Sequence, residues 1–243
     1  ISKYLLKKIN CNFVMFEAII PLRSKSRGLK DKNILLFKKR LNLVNFTIKK
    51  LINIKEIRRI YILTDSNIYK KKILNHKKID FNYKRKKILS TNNSKIDNLI
   101  HDFLSSYNKD KTNNKFLLFQ VTSPALGKNE ILKTLNFIKK KRISSLMHVT
   151  KNLESPYEII EMKNNKWKYL MKKRVINRQN YKGNFMFITG SMFYFTRDFF
   201  NKGRKIVNKN TYPFQIDRIN FVDIDDKFTF ELAKKIEDLK TRN

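Results

Sequence analysis

The sequence predicts an α/β fold: a doubly wound, mainly parallel sheet of the Rossmann-like type, with a small excursion late in the chain. Three observations predict it. Short apolar runs alternate with helix-period segments from Met15 to Val149. Several of these runs are apolar throughout, as strands covered on both faces by helices must be. The residues richest in chemistry, a basic loop, an aspartate and a glutamine, each fall just after a run, at the carboxyl end where such sheets bind ligands.

Met15 to Ile20 reads as the first strand and stops at Pro21. The loop from Leu22 to Asn33 then carries five cations within ten residues, Arg23, Lys25, Arg27, Lys30 and Lys32. Gly28 lets its backbone turn and approach a ligand closely. Such a loop suits a group with several negative charges. A solvated basic loop in a lysine-rich chain is the competing reading. A helix is predicted from Leu41 to Ile54, apolar at Leu41, Val44, Ile48, Leu51 and Ile52, followed by a strand over Arg59–Thr64. Asp65 and Ser66 offer an N-cap for a helix through Leu74. The rhythm continues with a short strand near Asp80 to Tyr83, a helix from Ile96 to Tyr107 and a strand from Phe116 to Gln120. After a Thr-Ser-Pro turn come a helix from Lys128 to Lys140 and a strand over Ser144–Val149.

The rhythm breaks after Thr150. Residues 151–189 read as an excursion with a hairpin at Asn164-Asn165, between Ile159–Met162 and Trp167–Met171. Strand character returns at Met192–Phe195 and at Phe221–Ile224. A closing helix from Phe228 to Leu239 has Phe228, Leu232, Ile236 and Leu239 on one face. Residues 15–243 read as one domain with 151–189 as its arm, and residues 1–14 as an appended or upstream-translated segment.

The formal charge of +35 ordinarily points to nucleic acid. Here lysine is spread over helix faces such as Lys70-Lys71-Lys72, as translation of an AT-rich genome produces, rather than gathered in a stripe with stacking aromatics. A non-catalytic nucleic-acid binder is therefore the disfavoured alternative. The one cysteine, Cys11, excludes an internal disulfide, and His76, His101 and His148 are too scattered for a zinc site. No apolar run is long enough to span a membrane and no signal core opens the chain, so a cytoplasmic protein is expected.

Acidic residues are scarce, which makes the cluster Asp223-Ile224-Asp225-Asp226 informative. In a strand, Asp223 and Asp225 project to one side as paired oxygen ligands suited to Mg²⁺. Alternatively, Asp225 or Asp226 caps the closing helix. Both roles can coexist.

At this point the chain resembles the CMP-N-acylneuraminate synthetases, or acylneuraminate cytidylyltransferases. Their loop A-R-x-x-S-K-G-L-P-x-K-N is matched here at Arg23, Ser26, Gly28, Leu29, Lys32 and Asn33. Their S-T-D appears as Leu63-Thr64-Asp65, and Q-P-T-S-P as Gln120-Val121-Thr122-Ser123-Pro124. A serine-proline pair recurs at Ser155-Pro156. N-G-A-I-Y-I is similar to Thr189-Gly190-Ser191-Met192-Phe193-Tyr194, and S-x-D-I-D to Phe221-Val222-Asp223-Ile224-Asp225. The similarity runs in order from about Ala18 to Ile236. There are departures: Arg85-Lys86-Lys87-Ile88-Leu89-Ser90-Thr91-Asn92 lacks the family's aspartate, Leu126 replaces an arginine, and Thr189 replaces the asparagine before Gly190.

The resemblance implies transfer of CMP from CTP to the anomeric hydroxyl of a sialic-acid-like nonulosonic acid. It implies Leu22, Arg23, Ser26, Gly28, Lys32, Asn33 and Asp65 at the nucleotide, with Arg23 and Lys32 on the triphosphate and Lys32 nearest the α-phosphate. Gln120, Arg178 and Tyr194 would face the sugar, and Asp223 and Asp225 would hold Mg²⁺. Gln120 as a strand-end residue bonding nearby backbone, and Arg178 as a surface cation, are the plainer readings. A homodimer joined through the arm is also implied. The 3-deoxy-manno-octulosonate cytidylyltransferases are the alternative within this chemistry, although Thr122-Ser123-Pro124 favours the sialic-type branch. A decayed homologue is a further alternative.

Overall fold

The computed structural model describes residues 14–24, 28–107, 115–171, 177–181 and 183–242. Its centre is a seven-stranded sheet built from β1 (Phe16–Leu22), β4 (Ile57–Thr64), β5 (Ile79–Asp80), β6 (Lys115–Phe119), β7 (Ser145–Lys151), β10 (Met186–Thr196) and β11 (Tyr212–Gln215). Their order is β11-β7-β10-β6-β1-β4-β5. All pairings are parallel except those of β10, which runs antiparallel to both β6 and β7. Two hairpins stand apart: β2 (Leu36–Lys38) with β3 (Leu41–Asn42), and β8 (Ile160–Lys163) with β9 (Lys166–Tyr169).

Helices cover both faces, as a doubly wound sheet requires. Ala18, Ile20 and Leu22 of β1 point to one side. There they meet Val44, Ile48 and Leu51 of α1 (Leu43–Ile52) and Ile131, Leu135 and Ile138 of α4 (Lys128–Lys141). Ile19 points to the other side, towards Leu99, Ile100 and Phe103 of α3 (Ile96–Ser106) and Phe200 of α5 (Arg197–Gly203). This alternation follows from the two-residue repeat of a strand. A smaller cluster joins Phe37, Leu43, Ala125, Val222 and Ile224 to Phe230 and Ala233 of the closing helix α6 (Lys227–Arg242), and so fixes the rim of the sheet's carboxyl end.

Local chemistry sets the element ends. Pro21 sits in β1 where β6 no longer pairs with it, since that ladder ends at Ile19↔Leu118, so the missing proline N–H costs one fewer ladder bond. Ser66 caps α2 (Asn67–Lys72), its side chain accepting from the Tyr69 amide at 3.2 Å. Asn164 and Asn165, at φ 52° and 59°, make the tight turn between β8 and β9 that was expected of them, with both residues left-handed as a type I′ turn demands.

Three expectations are corrected. Phe221–Ile224 is not a strand: the segment is largely buried and joins no ladder, and its Ile224 amide donates to the Thr122 carbonyl at 2.9 Å. The strand expected at Met192–Phe195 is eleven residues long and antiparallel. The face of α6 is rotated: of the four residues expected on it only Ile236 packs against the core, Phe228, Leu232 and Leu239 are exposed, and Phe230, Ala233 and Glu237 are buried. The chain before Val14 lies outside the described residues; Val14 itself packs against the main core, so the domain begins no later than that residue.

Candidate functional site

A cleft of about 400 Å³ opens beside the carboxyl ends of β1 and β6. Its floor and walls come from Arg23, Lys32 and Asn33 of the basic loop, Gln120 to Thr122 after β6, and Asp223 and Asp225 of the segment before α6. The far lip is the stretch from Arg85 to Ile96. Residues distant in the chain converge here because each follows a strand of one sheet or packs against a segment that does.

The basic loop is fixed at several points. The Ser24 amide and hydroxyl donate to the two oxygens of Asp65 at 3.0 and 2.9 Å. The Tyr69 hydroxyl lies 2.9 Å from Asp31 Oδ1. Asp65 thus secures the loop and is not among the residues lining the cleft. Leu22 is buried in the core, so its side chain faces apolar neighbours. Gly28 is required for a close approach: a Cβ there would stand 1.9 Å from the Asp225 carbonyl oxygen, and the neighbouring Leu29 amide donates to that same carbonyl at 2.9 Å. The basic and acidic segments are joined at this point. Ser26 lies outside the described residues.

Lys32 is 8% exposed, and its ammonium donates to the Ile224 carbonyl and, at 3.2 Å, to Asp225 Oδ1. An ammonium has three protons, so one remains for a ligand in the cleft. Arg23 donates to Asn92 Oδ1 at 3.0 Å. Arg85 donates through Nε and Nη2 to the Leu89 carbonyl at 3.2 and 2.6 Å, which shapes the lip. Burial pushes the Arg85 guanidinium below its ordinary value, opposed by Asp65. Lys95 completes a cationic wall.

In the same cleft, Asp223 Oδ1 is buried with no hydrogen-bond partner. Burial pushes the Asp223 carboxyl up, with the Asp225 charge adding to the effect and Thr122 and Lys32 opposing it. Asp226 turns away from the cleft and caps α6, its Oδ1 accepting from the Thr229 amide at 2.7 Å. Of the two roles expected of the cluster, capping thus falls to Asp226.

Gln120 reaches the cleft beside Gly190, whose φ of +68° and missing Cβ leave room; a Cβ there would lie 3.4 Å from Gln120 Oε1. Behind that glycine, buried His148 is held between Thr134 Oγ1 at 3.0 Å and Ser191 Oγ at 3.2 Å. Burial pushes its imidazole down to about 3, so it is neutral. Tyr194, expected at the sugar pocket, is corrected: it is 1% exposed and packs edge-on against Phe16 in the core. Arg178 lies on the short turn Arg178–Asn180, and its side chain falls outside the described part of the structure. Arg85 and Lys95 were not singled out as site residues; their signal was their place in an irregular, cation-rich stretch between β5 and α3.

A doubly wound sheet with a basic loop after its first strand thus brings cations and two carboxylates, Asp223 and Asp225, into one cleft. The chain belongs to the cytidylyltransferase family, whose model matches residues 17–242. It is 25% identical over 216 residues to the N-acylneuraminate cytidylyltransferase of Streptococcus agalactiae serotype V, covering 87% of this chain and 51% of that protein. The serotype III protein of the same name matches equally. The chain thus spans about half the length of these curated relatives. Similar solved structures include a CMP:2-keto-3-deoxy-manno-octonic acid synthetase complexed with CTP, at TM-score 0.63 and 10% identity over 93% of this chain and 99% of that one. The 2-C-methyl-D-erythritol 4-phosphate cytidylyltransferase of Francisella tularensis gives TM-score 0.64 and 13% identity over 91% and 99%. At these identities the likeness is one of fold.

Proposed function

We propose that this chain transfers CMP from CTP to the anomeric hydroxyl of a nonulosonic acid. The hydroxyl oxygen forms a bond to the α-phosphorus, the bond from that phosphorus to the bridging oxygen of pyrophosphate breaks, and the hydroxyl proton is released. One observation supports this most directly: Lys32, Arg23 and Asp223, whose buried oxygen lacks a partner, line one cleft of nucleotide size. Such transfers demand positioned cations more than covalent chemistry. Arg23 would neutralise the outer phosphates, while Lys32 donates its remaining proton towards the α-phosphate.

The donor set suits Mg²⁺, a hard cation that takes one or two carboxylates and completes its shell with phosphate oxygens and water. Asp223 and Asp225 would hold it. When bound, Mg²⁺ would offset phosphate charge and lower the pKa of a nearby hydroxyl. Gln120 and Arg178 are the proposed sugar contacts, Arg178 through the forked geometry that matches a carboxylate.

The arm supports a homodimer. Met162, Trp167 and Leu170 are 62%, 57% and 58% exposed, a cluster that a second copy would bury. No helix among the described residues is long and apolar enough to cross a membrane. The experiment is ³¹P NMR of CTP and Mg²⁺ with N-acetylneuraminic, legionaminic, pseudaminic and 3-deoxy-octulosonic acids in turn. A phosphodiester resonance rising with pyrophosphate supports the reading and names the sugar. CTP unchanged with every acid, from folded protein, refutes it.

A further inference from the structure

Behind the cleft, away from any expected substrate, two lysines are sunk against one turn. Lys50 of α1 donates to the carbonyls of Pro124 and, at 3.2 Å, Leu126. Lys240 of α6 donates to the intervening carbonyl, that of Ala125, and to Asn220 Oδ1 at 3.0 Å. Three consecutive carbonyls of one turn are thus capped by two ammonium groups. Glu237 stands between them, its oxygens 3.6 Å from Lys50 Nζ and 3.8 Å from Lys240 Nζ. All three are largely out of water, with side chains 18%, 9% and 19% exposed for Lys50, Glu237 and Lys240. The Asn220 amide passes the connection to Glu130 Oε2 at 3.4 Å, at the start of α4.

We propose that Lys50, Glu237 and Lys240 form a buried latch that holds the Gln120–Leu126 turn and the Asp223–Asp225 segment in register across the cleft. Asn220 lies three residues before Asp223, and Lys240 grips both it and Ala125. The two segments meet again at the cleft, where the Ile224 amide donates to the Thr122 carbonyl at 2.9 Å and the Ile224 carbonyl accepts from Lys32. A slip of the turn would therefore move Gln120, Asp223 and Lys32 together.

Stability alone does not account for this cluster. Two buried cations share one carboxylate, and burial pushes Lys50 down to about 8 although Glu237 opposes it. Buried ion pairs are often matched or bettered by apolar side chains of similar volume. What an apolar replacement cannot supply is directed donors to three backbone carbonyls at fixed spacing. These are positioning residues: none of the three lines the cleft.

The latch's effect on turnover rests on the transfer reading above; its geometry does not. The test compares wild type with Lys240→Met and Lys50→Met by hydrogen exchange at Ile224, by Mn²⁺ binding in the presence of CTP, and by pyrophosphate release. In Lys240→Met the Ile224 amide is expected to exchange about tenfold faster while β4 amides keep their rates. Mn²⁺ affinity should fall severalfold, and kcat should fall by about tenfold to a hundredfold, as expected for a sub-ångström to ångström misplacement. A folded Lys240→Met protein with unchanged Ile224 exchange and unchanged Mn²⁺ binding overturns the latch. Faster Ile224 exchange in a series whose wild type releases no pyrophosphate sustains the latch and refutes the transfer reading. If Lys50→Met does not fold, Lys240→Met decides, because Lys240 lies near the end of α6 and its loss leaves Lys50 on the turn.

Discussion

Replacing Gly28 with alanine should disable the cleft without unfolding the protein. The added Cβ would stand 1.9 Å from the Asp225 carbonyl oxygen, where real Cβ contacts stay beyond about 3.0 Å. The obstacle is backbone, so no side chain can rotate aside. The basic loop and the acidic segment must part by at least about 1 Å, a displacement that costs about a hundredfold in rate when reacting groups must align. The same parting breaks the Leu29 amide bond to Asp225, now 2.9 Å, and stretches the Lys32–Asp225 contact of 3.2 Å. Losing one such backbone bond near the surface costs about 1 kcal/mol. The expected result is a protein whose melting temperature drops by only a few degrees while its rate of pyrophosphate release from CTP falls about a hundredfold. A Gly28→Ala protein with wild-type turnover refutes the claim that this junction sets the cleft.

Other expectations follow from the same geometry. Asp223→Asn should trade function for stability: it removes a carboxylate charge that burial and the neighbouring Asp225 disfavour, raising stability by about 1 kcal/mol in denaturant titration, while abolishing metal-dependent turnover. Acid should destabilise the fold through His148. Its imidazole sits at about 3 against an ordinary 6.5, so the unfolded chain binds the extra proton and stability is lost as pH falls from 6.5 towards 3. That loss reaches about 5 kcal/mol at most, and His148→Gln should flatten this part of the stability curve. Trp167→Glu should convert the proposed dimer to monomer in light scattering; a wild-type monomer would refute the arm's assignment.

Much of this arrangement was legible because it rests on local signals. The basic loop announced itself as cations following an apolar run, and Ser66 and Asn164-Asn165 are residues whose backbone preferences dictate their turns. Other features depend on partners far along the chain. Phe221, Val222 and Ile224 are as buried as their hydropathy suggests, but whether they form a strand depends on a free sheet edge, and here the Ile224 amide bonds the Thr122 turn instead. The face of α6 was misread because a charged residue, Glu237, lies on its buried side, where Lys50 and Lys240 offset its charge. Phe228, Leu232 and Leu239 formed the more apolar stripe and still face outwards. Tyr194 could not be separated from a pocket residue by sequence, since both faces of its strand are covered and both Phe193 and Tyr194 are buried.

The central claim is that Lys32 and Asp223, which line one cleft, serve one reaction on CTP. The most direct measurement is pyrophosphate release from CTP and Mg²⁺ with the panel of nonulosonic and octulosonic acids, for wild type, Lys32→Ala and Asp223→Ala. Release with one acid, abolished by both substitutions in folded protein, is the predicted result. Release that survives either substitution, or no release with any acid from the folded wild type, would contradict the account.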